Sequence, residues 1–149
     1  MELDYRIATA ADLDTIMPLM RQSYAFERRR FDPDRARRAV HELLEDPRLG
    51  ELWLISDRSG VIGYFCLAFG YSLEYHGRDA FLDELFVVEG CRRMGVGTAT
   101  LEFIEERAKA LGIGAVHLEV ANQNHSAYSL YLRMGYEEHH ARFMSKRLG

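Results

Sequence analysis

At 149 residues the chain has the length of one ordinary domain, enough to bury roughly 70% of the surface that it exposes when unfolded. Hydrophobic residues at 48% and charged residues at 28% exclude a disordered chain. Lys and Arg number 19 against 23 Asp and Glu, a formal charge of -4, which argues against binding nucleic acid through phosphate neutralisation. Cys66 and Cys91 cannot build a disulfide framework and have no zinc-ligand spacing around them, so free thiols in a reducing compartment are expected. The N-terminus carries Glu2 and Asp4 where a signal peptide needs a basic start. The longest uncharged run, Val61 to Leu73, is shorter than the ~18 residues of a membrane span. The expectation is a soluble, cytoplasmic protein with no membrane partner.

In chain order, Ala10-Ala11-Asp12 opens a segment with Leu13, Ile16, Met17 and Met20 at helical spacing, and Pro18 within it predicts a kink or a delayed start. Asp32-Pro33-Asp34 opens a second helix that runs to about Glu45. Short apolar runs over Glu51–Asp57 and Val61–Tyr71, separated by Arg58-Ser59-Gly60, predict a hairpin, and Phe81–Val88 is a third strand. Apolar residues at nearly every strand position predict a sheet covered by helices on both faces. A helix over about Gly95–Leu111, a strand over Ala115–Val120, a helix over about Ser126–Met134 and one or two strands between Tyr136 and Arg147 complete the order. These elements define an α/β domain spanning 1–149. The arginines at 28, 29, 30, 35, 37 and 38 alternate with Glu27, Asp32 and Asp34 and are read as solvated helix faces, which could still border a site for an anionic or polar substrate.

The chemistry starts at Arg92-Arg93-Met94-Gly95-Val96-Gly97-Thr98, between a predicted strand and a predicted helix. Val96, Leu101, Ile104, Ala108 and Leu111 form one helical stripe, Glu105 is spaced to pair with Lys109, and Gly112 stands where a left-handed cap belongs. A glycine turn feeding a helix N-terminus gathers unpaired N–H groups, and the helix dipole adds about half a positive charge. Gly95 and Gly97 let phosphate oxygens approach the main chain, with Arg92, Arg93 and Thr98 as further donors. No Gly-Lys-Ser/Thr follows, so this is not a P-loop, and the first glycine of a dinucleotide fingerprint is missing.

The turn resembles the R/Q-x-x-G-x-G/A signature of the GNAT superfamily of acyl-CoA-dependent N-acetyltransferases. The stretch from Leu118 to Tyr136 resembles a second pattern of that family, with Val120, Asn124, Ala127, Tyr131 and Gly135 in register and Tyr136 replacing the usual Phe. Arg93 stands where many members have glycine, and Gly90-Cys91 replaces a common lead-in. The resemblance spans essentially the whole chain. It implies a GNAT-like fold: a mixed, mostly antiparallel central sheet, helices on both faces, and central strands that splay apart. It also implies acetyl-CoA as cosubstrate, with its diphosphate on the loop from Arg92 to Thr98, Met94 and Val96 included. Its pantetheine arm would lie along the backbone near Phe86, Val87 and Val88, and Asn124 could hold that arm or simply cap a helix. The acceptor implied is a small-molecule or peptide amine, and a homodimer is implied as well.

In this family the amine attacks the thioester directly, which would leave Cys66 and Cys91 as bystanders. An alkylamine of pKa near 10.4 is only about 0.04% neutral at pH 7, a handicap of roughly 4.6 kcal/mol that a positioned base partly recovers. Asp83 and Glu84 interrupt an apolar strand, and strict alternation would point them to opposite faces. Burial would raise a carboxylate toward a useful pKa, while a carboxylate tied to backbone or arginine is the structural alternative for either. By family resemblance Glu84 is the expected base, with Asp83 next. Tyr131 is the implied donor to the departing thiolate sulfur, although Tyr128 and Tyr131 could also pack as a helical pair. Tyr71, Glu74, Tyr75 and His76 lie in an aromatic-rich connection that this architecture sets beside the acceptor. His139-His140 has no third ligand in sequence, so no metal is expected. A catalytically silent CoA-binding regulatory module is the alternative reading.

Overall fold

The computed structural model describes residues 2–92 and 95–149. Contacts divide the chain into two units, residues 1–119 and 120–149. The first contains β1 (Asp4–Ile7), α1 (Leu13–Phe26), α2 (Pro33–Glu45), β2 (Gly50–Asp57), β3 (Gly60–Ser72), β4 (Gly77–Val87), α3 (Val96–Ala110) and β5 (Ala115–His117). The strands form one sheet in the order β1-β2-β3-β4-β5, antiparallel up to β4, with β5 parallel to β4. No helix among the described residues is long and apolar enough to cross a membrane.

Helices cover both faces, as the apolar strands require. On one face Ile16, Leu19 and Met20 of α1 and Val40 of α2 pack with Leu52, Leu54, Tyr64 and Phe86. On the other, Phe103 of α3 stacks on Tyr5 at 4.2 Å and meets Trp53 edge-on at 5.0 Å. Behind that aromatic cluster Arg107 grips the buried carboxylate of Glu51 with two hydrogen bonds, and Trp53 Nε1 donates a third at 2.9 Å. This trio ties α3 to β2.

Local signals placed most elements. Asp32 caps α2 by accepting from the Arg35 N–H at 3.2 Å, with Pro33 in the first turn. The β2–β3 turn closes on Asp57, whose Oδ1 accepts from Ser59 N at 2.8 Å and Ser59 Oγ at 2.6 Å. Helix α3 ends at left-handed Gly112 (φ 75°) with the paired capping bonds of a Schellman turn. The α1 segment starts as a short 3₁₀ turn, Ala10–Asp12, and the helix then runs through Pro18.

Helix α1 ends in the same Schellman turn, since Arg28 N donates to Ala25 O and Arg29 N to Tyr24 O. The left-handed position, however, is held by Arg28 (φ 56°) rather than glycine. An L-residue there costs roughly 1–2 kcal/mol, partly offset by the greater entropy that glycine loses on folding. Arg28→Gly is therefore expected to stabilise the fold by up to about 1 kcal/mol, raising Tm by about 2–4 °C in calorimetry. No rise would mean that the arginine side chain compensates its backbone.

Three expectations differ from what forms. β1 was not anticipated, because four residues with one half-buried position carry little pattern. β4 begins at Gly77 rather than Phe81, so β3 and β4 make a long hairpin. No strand forms after His117 among the described residues, although strands were expected up to Val120 and between Tyr136 and Arg147. A strand is stable only with a ladder partner, and the alternation of that last segment is weak, with Phe143 and Met144 adjacent and 137–140 all polar.

The second unit contains α4 (His125–Arg133). Asn124 caps it through the Ala127 N–H at 3.2 Å. Gly135 (φ 95°) ends it, with Tyr136 N donating to Tyr131 O at 3.0 Å.

Candidate functional site

The site begins where the sheet forks. β5 pairs with β4 only from Asp79 to Phe81, whereas β4 continues to Val87. The strand from Leu82 onward thus offers a backbone edge that β5 does not use, the kind of edge an extended, amide-bearing chain can join. Strand alternation decides which groups face that edge. Val88 N donates to Ile62 O of β3 at 2.8 Å, so Val88 and Phe86 turn inward, and Val87 and Leu85 turn to the open side. Of the three backbone positions expected to bind a pantetheine arm, Val87 has this orientation, and Leu85, which sequence reasoning missed, shares it.

A β-bulge lies in the middle of this edge. Cys66 is opposite Glu84 and Leu67 opposite Leu82, so Asp83 is an extra residue with no counterpart on β3. The insertion breaks the alternation from which opposite faces were expected for Asp83 and Glu84. Asp83 is exposed, whereas Glu84 is half-buried and in hydrogen-bond contact with the tyrosines described next.

Glu84 shares the face under α1 with Tyr64 and Phe86. Tyr64 donates its phenol to Oε1 at 2.6 Å, and Tyr24, from α1, donates to Oε2 at 2.6 Å. Neither tyrosine was a predicted site residue, because they stand 20 and 60 positions from Glu84 in sequence. Burial, and after it the Glu84 carboxylate, pushes both phenols well above their ordinary value. A raised phenol stabilises the fold fully below its unfolded pKa of 10.0, and that contribution is lost as pH rises beyond it. In a tyrosinate absorbance titration Tyr24 and Tyr64 are expected to stay protonated past pH 10.0 until the protein unfolds; tyrosinate from all eight tyrosines in the folded protein would contradict the Glu84 contacts. Opposite Glu84, buried Cys66 has its thiol pushed up by burial and then by both carboxylates, which disfavours the nucleophilic thiolate.

Past the edge, Gly95 adopts φ 77° and caps α3, and a Cβ there would meet nothing within 4 Å. The first-turn N–H groups of Val96, Gly97 and Thr98 have no intrahelical acceptor, and no acidic residue occupies that turn. An anionic diphosphate suits this cradle. Arg92 Nε donates to Val87 O at 2.8 Å, and its guanidinium lies 4.1 Å from the Phe26 ring centre and 5.4 Å from that of Phe86. It braces the edge. Arg93 and Met94 lie outside the described residues.

Tyr71, Glu74, Tyr75 and His76 gather at the β3–β4 hairpin, with His76 at φ 62°. That tip lies about 20 Å along β4 from Glu84 at ~3.3 Å per residue, so the hairpin does not bring these residues to the carboxylate. Tyr75 instead packs edge-on against His117 at 4.8 Å, and His117 Nε2 is 2.9 Å from Asp79 Oδ2, a tie across β4 and β5 where their pairing ends. Within the second unit, the Tyr131 ring meets Tyr136 edge-on at 5.8 Å and Tyr128 donates to Glu138 at 3.0 Å. No group of three or more His, Cys, Asp or Glu among the described residues could hold a metal ion.

A forked mixed sheet, a bulged strand carrying a held carboxylate and a glycine-capped helix after it make up the candidate site. The model of the acetyltransferase (GNAT) family matches residues 14–136, and the chain belongs to that family. It is 31% identical to the uncharacterized N-acetyltransferase YhfO of Bacillus subtilis, covering 91% of each chain. It is 27% identical to the aminoalkylphosphonate N-acetyltransferase of Salmonella typhimurium, over 94% of this chain and 88% of that protein. Among solved structures it resembles an integron cassette protein from the Cole Harbour salt marsh metagenome with TM-score 0.86 and 31% identity, over 97% of this chain and 90% of that one. The protein is an acyltransferase, and its reaction class is acetyl transfer to nitrogen.

Proposed function

We propose that the protein transfers the acetyl group of acetyl-CoA to the primary amine of a small molecule, both substrates being bound when the amine attacks. The observation that carries this reading is Glu84, a carboxylate with both oxygens held by phenols at 2.6 Å beside an unpaired strand edge. The edge positions Leu85 and Val87 would receive the pantetheine amides, and the α3 cradle from Gly95 to Thr98 the diphosphate. The bound thioester supplies an acyl carbon open to attack. Glu84, directly or through a water, accepts the proton that leaves the ammonium, so that the nitrogen lone pair becomes available. The C–N bond forms first, giving a tetrahedral intermediate whose oxyanion an N–H at the edge can stabilise, a contribution often about 3 kcal/mol. Its collapse breaks the C–S bond, and the proton that the new amide nitrogen sheds is taken up by the departing thiolate.

Tyr131 is the proposed hydrogen-bond donor to the departing sulfur, on the strength of its register in the family pattern. Tyr131→Phe is expected to leave acetyl-CoA affinity nearly intact while lowering kcat by at least tenfold. Unchanged turnover would remove it from the mechanism.

The acceptor class has support from a relative named for acting on aminoalkylphosphonates, small molecules that carry an amine. Release of free thiol from acetyl-CoA over a panel of amines, including a peptide with a free N-terminus, tests the reading. Turnover on a small amine is expected. Tight acetyl-CoA binding with no turnover on any amine would favour a silent CoA-binding module instead.

A further inference from the structure

The arginines in and just after α1 are left over from this mechanism, and two of them are built into its surroundings. Arg29 stacks its guanidinium over the Tyr24 ring, 4.1 Å from the centre, and the hydroxyl of that ring is the one that donates to Glu84. Arg21, within α1, lies 5.1 Å over Phe31, and Phe31 meets Tyr24 edge-on at 5.3 Å. Two guanidiniums therefore flank an aromatic pair whose polar tip touches the candidate base. Stacking orients a guanidinium by its face and leaves the N–H donors at its rim available. Arg29 spends its Nε on Glu27 at 3.0 Å, and no carboxylate among the described residues pairs with Arg21.

From this arrangement we infer that Arg29, with Arg21, forms an anion subsite next to Glu84, and that the acceptor is a primary amine carrying an acidic oxygen group a few bonds from its nitrogen. The ammonium faces the Glu84 carboxylate while the acidic group takes the forked donors of a guanidinium, geometry that suits carboxylates and phosphonates alike. The inference rests on the acetyl-transfer reading and narrows its acceptor.

Matched acceptors test it. 3-Aminopropylphosphonate and 4-aminobutyrate are compared with propylamine by thiol release from acetyl-CoA, in the wild type, Arg29→Met, Arg29→Lys and Arg21→Met. The wild type is expected to prefer the acid-bearing members at least tenfold in kcat/KM, and whichever acid it prefers distinguishes carboxylate from phosphonate. Arg29→Met should reduce that preference at least tenfold, with the loss falling on the acceptor KM, and Arg29→Lys should restore part of it. A folding defect would lower both members of a pair together and leave their ratio intact, so an unchanged ratio in Arg29→Met overturns the inference. Equal use of propylamine by the wild type overturns it too, while leaving acetyl transfer standing. No turnover on any amine would instead refute acetyl transfer.

Discussion

Glu84→Gln is expected to lower kcat about a hundredfold, at the lower end of what a positioned general base contributes. Glutamine keeps the length of the side chain and one acceptor oxygen, so one of the two phenols, Tyr24 or Tyr64, retains a partner. The other loses its acceptor, at a cost to stability of about 1–3 kcal/mol. Thermal unfolding therefore reports the structural loss and turnover the chemical one. The acidic limb of the pH–rate profile should disappear in Glu84→Gln and persist in Asp83→Asn, because the bulge leaves Asp83 exposed while Glu84 is held under α1. If Asp83→Asn loses the limb and Glu84→Gln keeps it, the base is Asp83.

The largest stability effect is expected on the opposite face of the sheet. Arg107→Met removes the cation from the Glu51 carboxylate, which is only 8% exposed, and leaves it a single donor in Trp53. Breaking one side of such a pair typically costs about 3–5 kcal/mol, and the part-exposed Arg107 puts the expectation near about 3. For a chain of this size that lowers Tm by roughly 6–12 °C. Burial by itself would raise the Glu51 carboxyl, but hydrogen bonds from Arg107 and Trp53 outweigh it and hold the group below its ordinary value. A depressed carboxyl contributes stability above its unfolded pKa of 4.5 and loses it as pH falls through the folded value. In the variant the bare carboxylate is relieved by protonation, so the gap between wild type and Arg107→Met should narrow in acid. Replacing both residues, Glu51→Leu with Arg107→Met, should recover most of the loss. A gap that stays constant with pH would show that the cost is lost packing of the Arg107 stem on Trp53.

Much of the fold was legible because its signals are local. The α3 stripe of Val96, Leu101, Ile104 and Ala108 is buried as its spacing predicts, and Glu105 reaches Lys109 at 3.4 Å. Asp32, Asp57 and Gly112 act within three residues of themselves. The start of α3 at left-handed Gly95 was readable for the same reason, since a glycine cap needs no distant partner. β1 escaped notice because its four residues take their register from β2.

The chain alone determined the kinds of group available: a carboxylate pair on an apolar strand, a glycine-capped helix start, an arginine run after α1 and a family pattern shared across both motifs. Only tertiary structure decided how they are used. The bulge at Asp83 exists relative to β3, and no run of residues within β4 announces it. The grip on Glu84 joins side chains from α1, β3 and β4, and the stack of Arg29 on Tyr24 extends that grip to the arginines. Spacing along a chain encodes which neighbours a residue meets within a turn or a pleat. Contacts across a sheet depend instead on register and packing, which arise when separate elements meet.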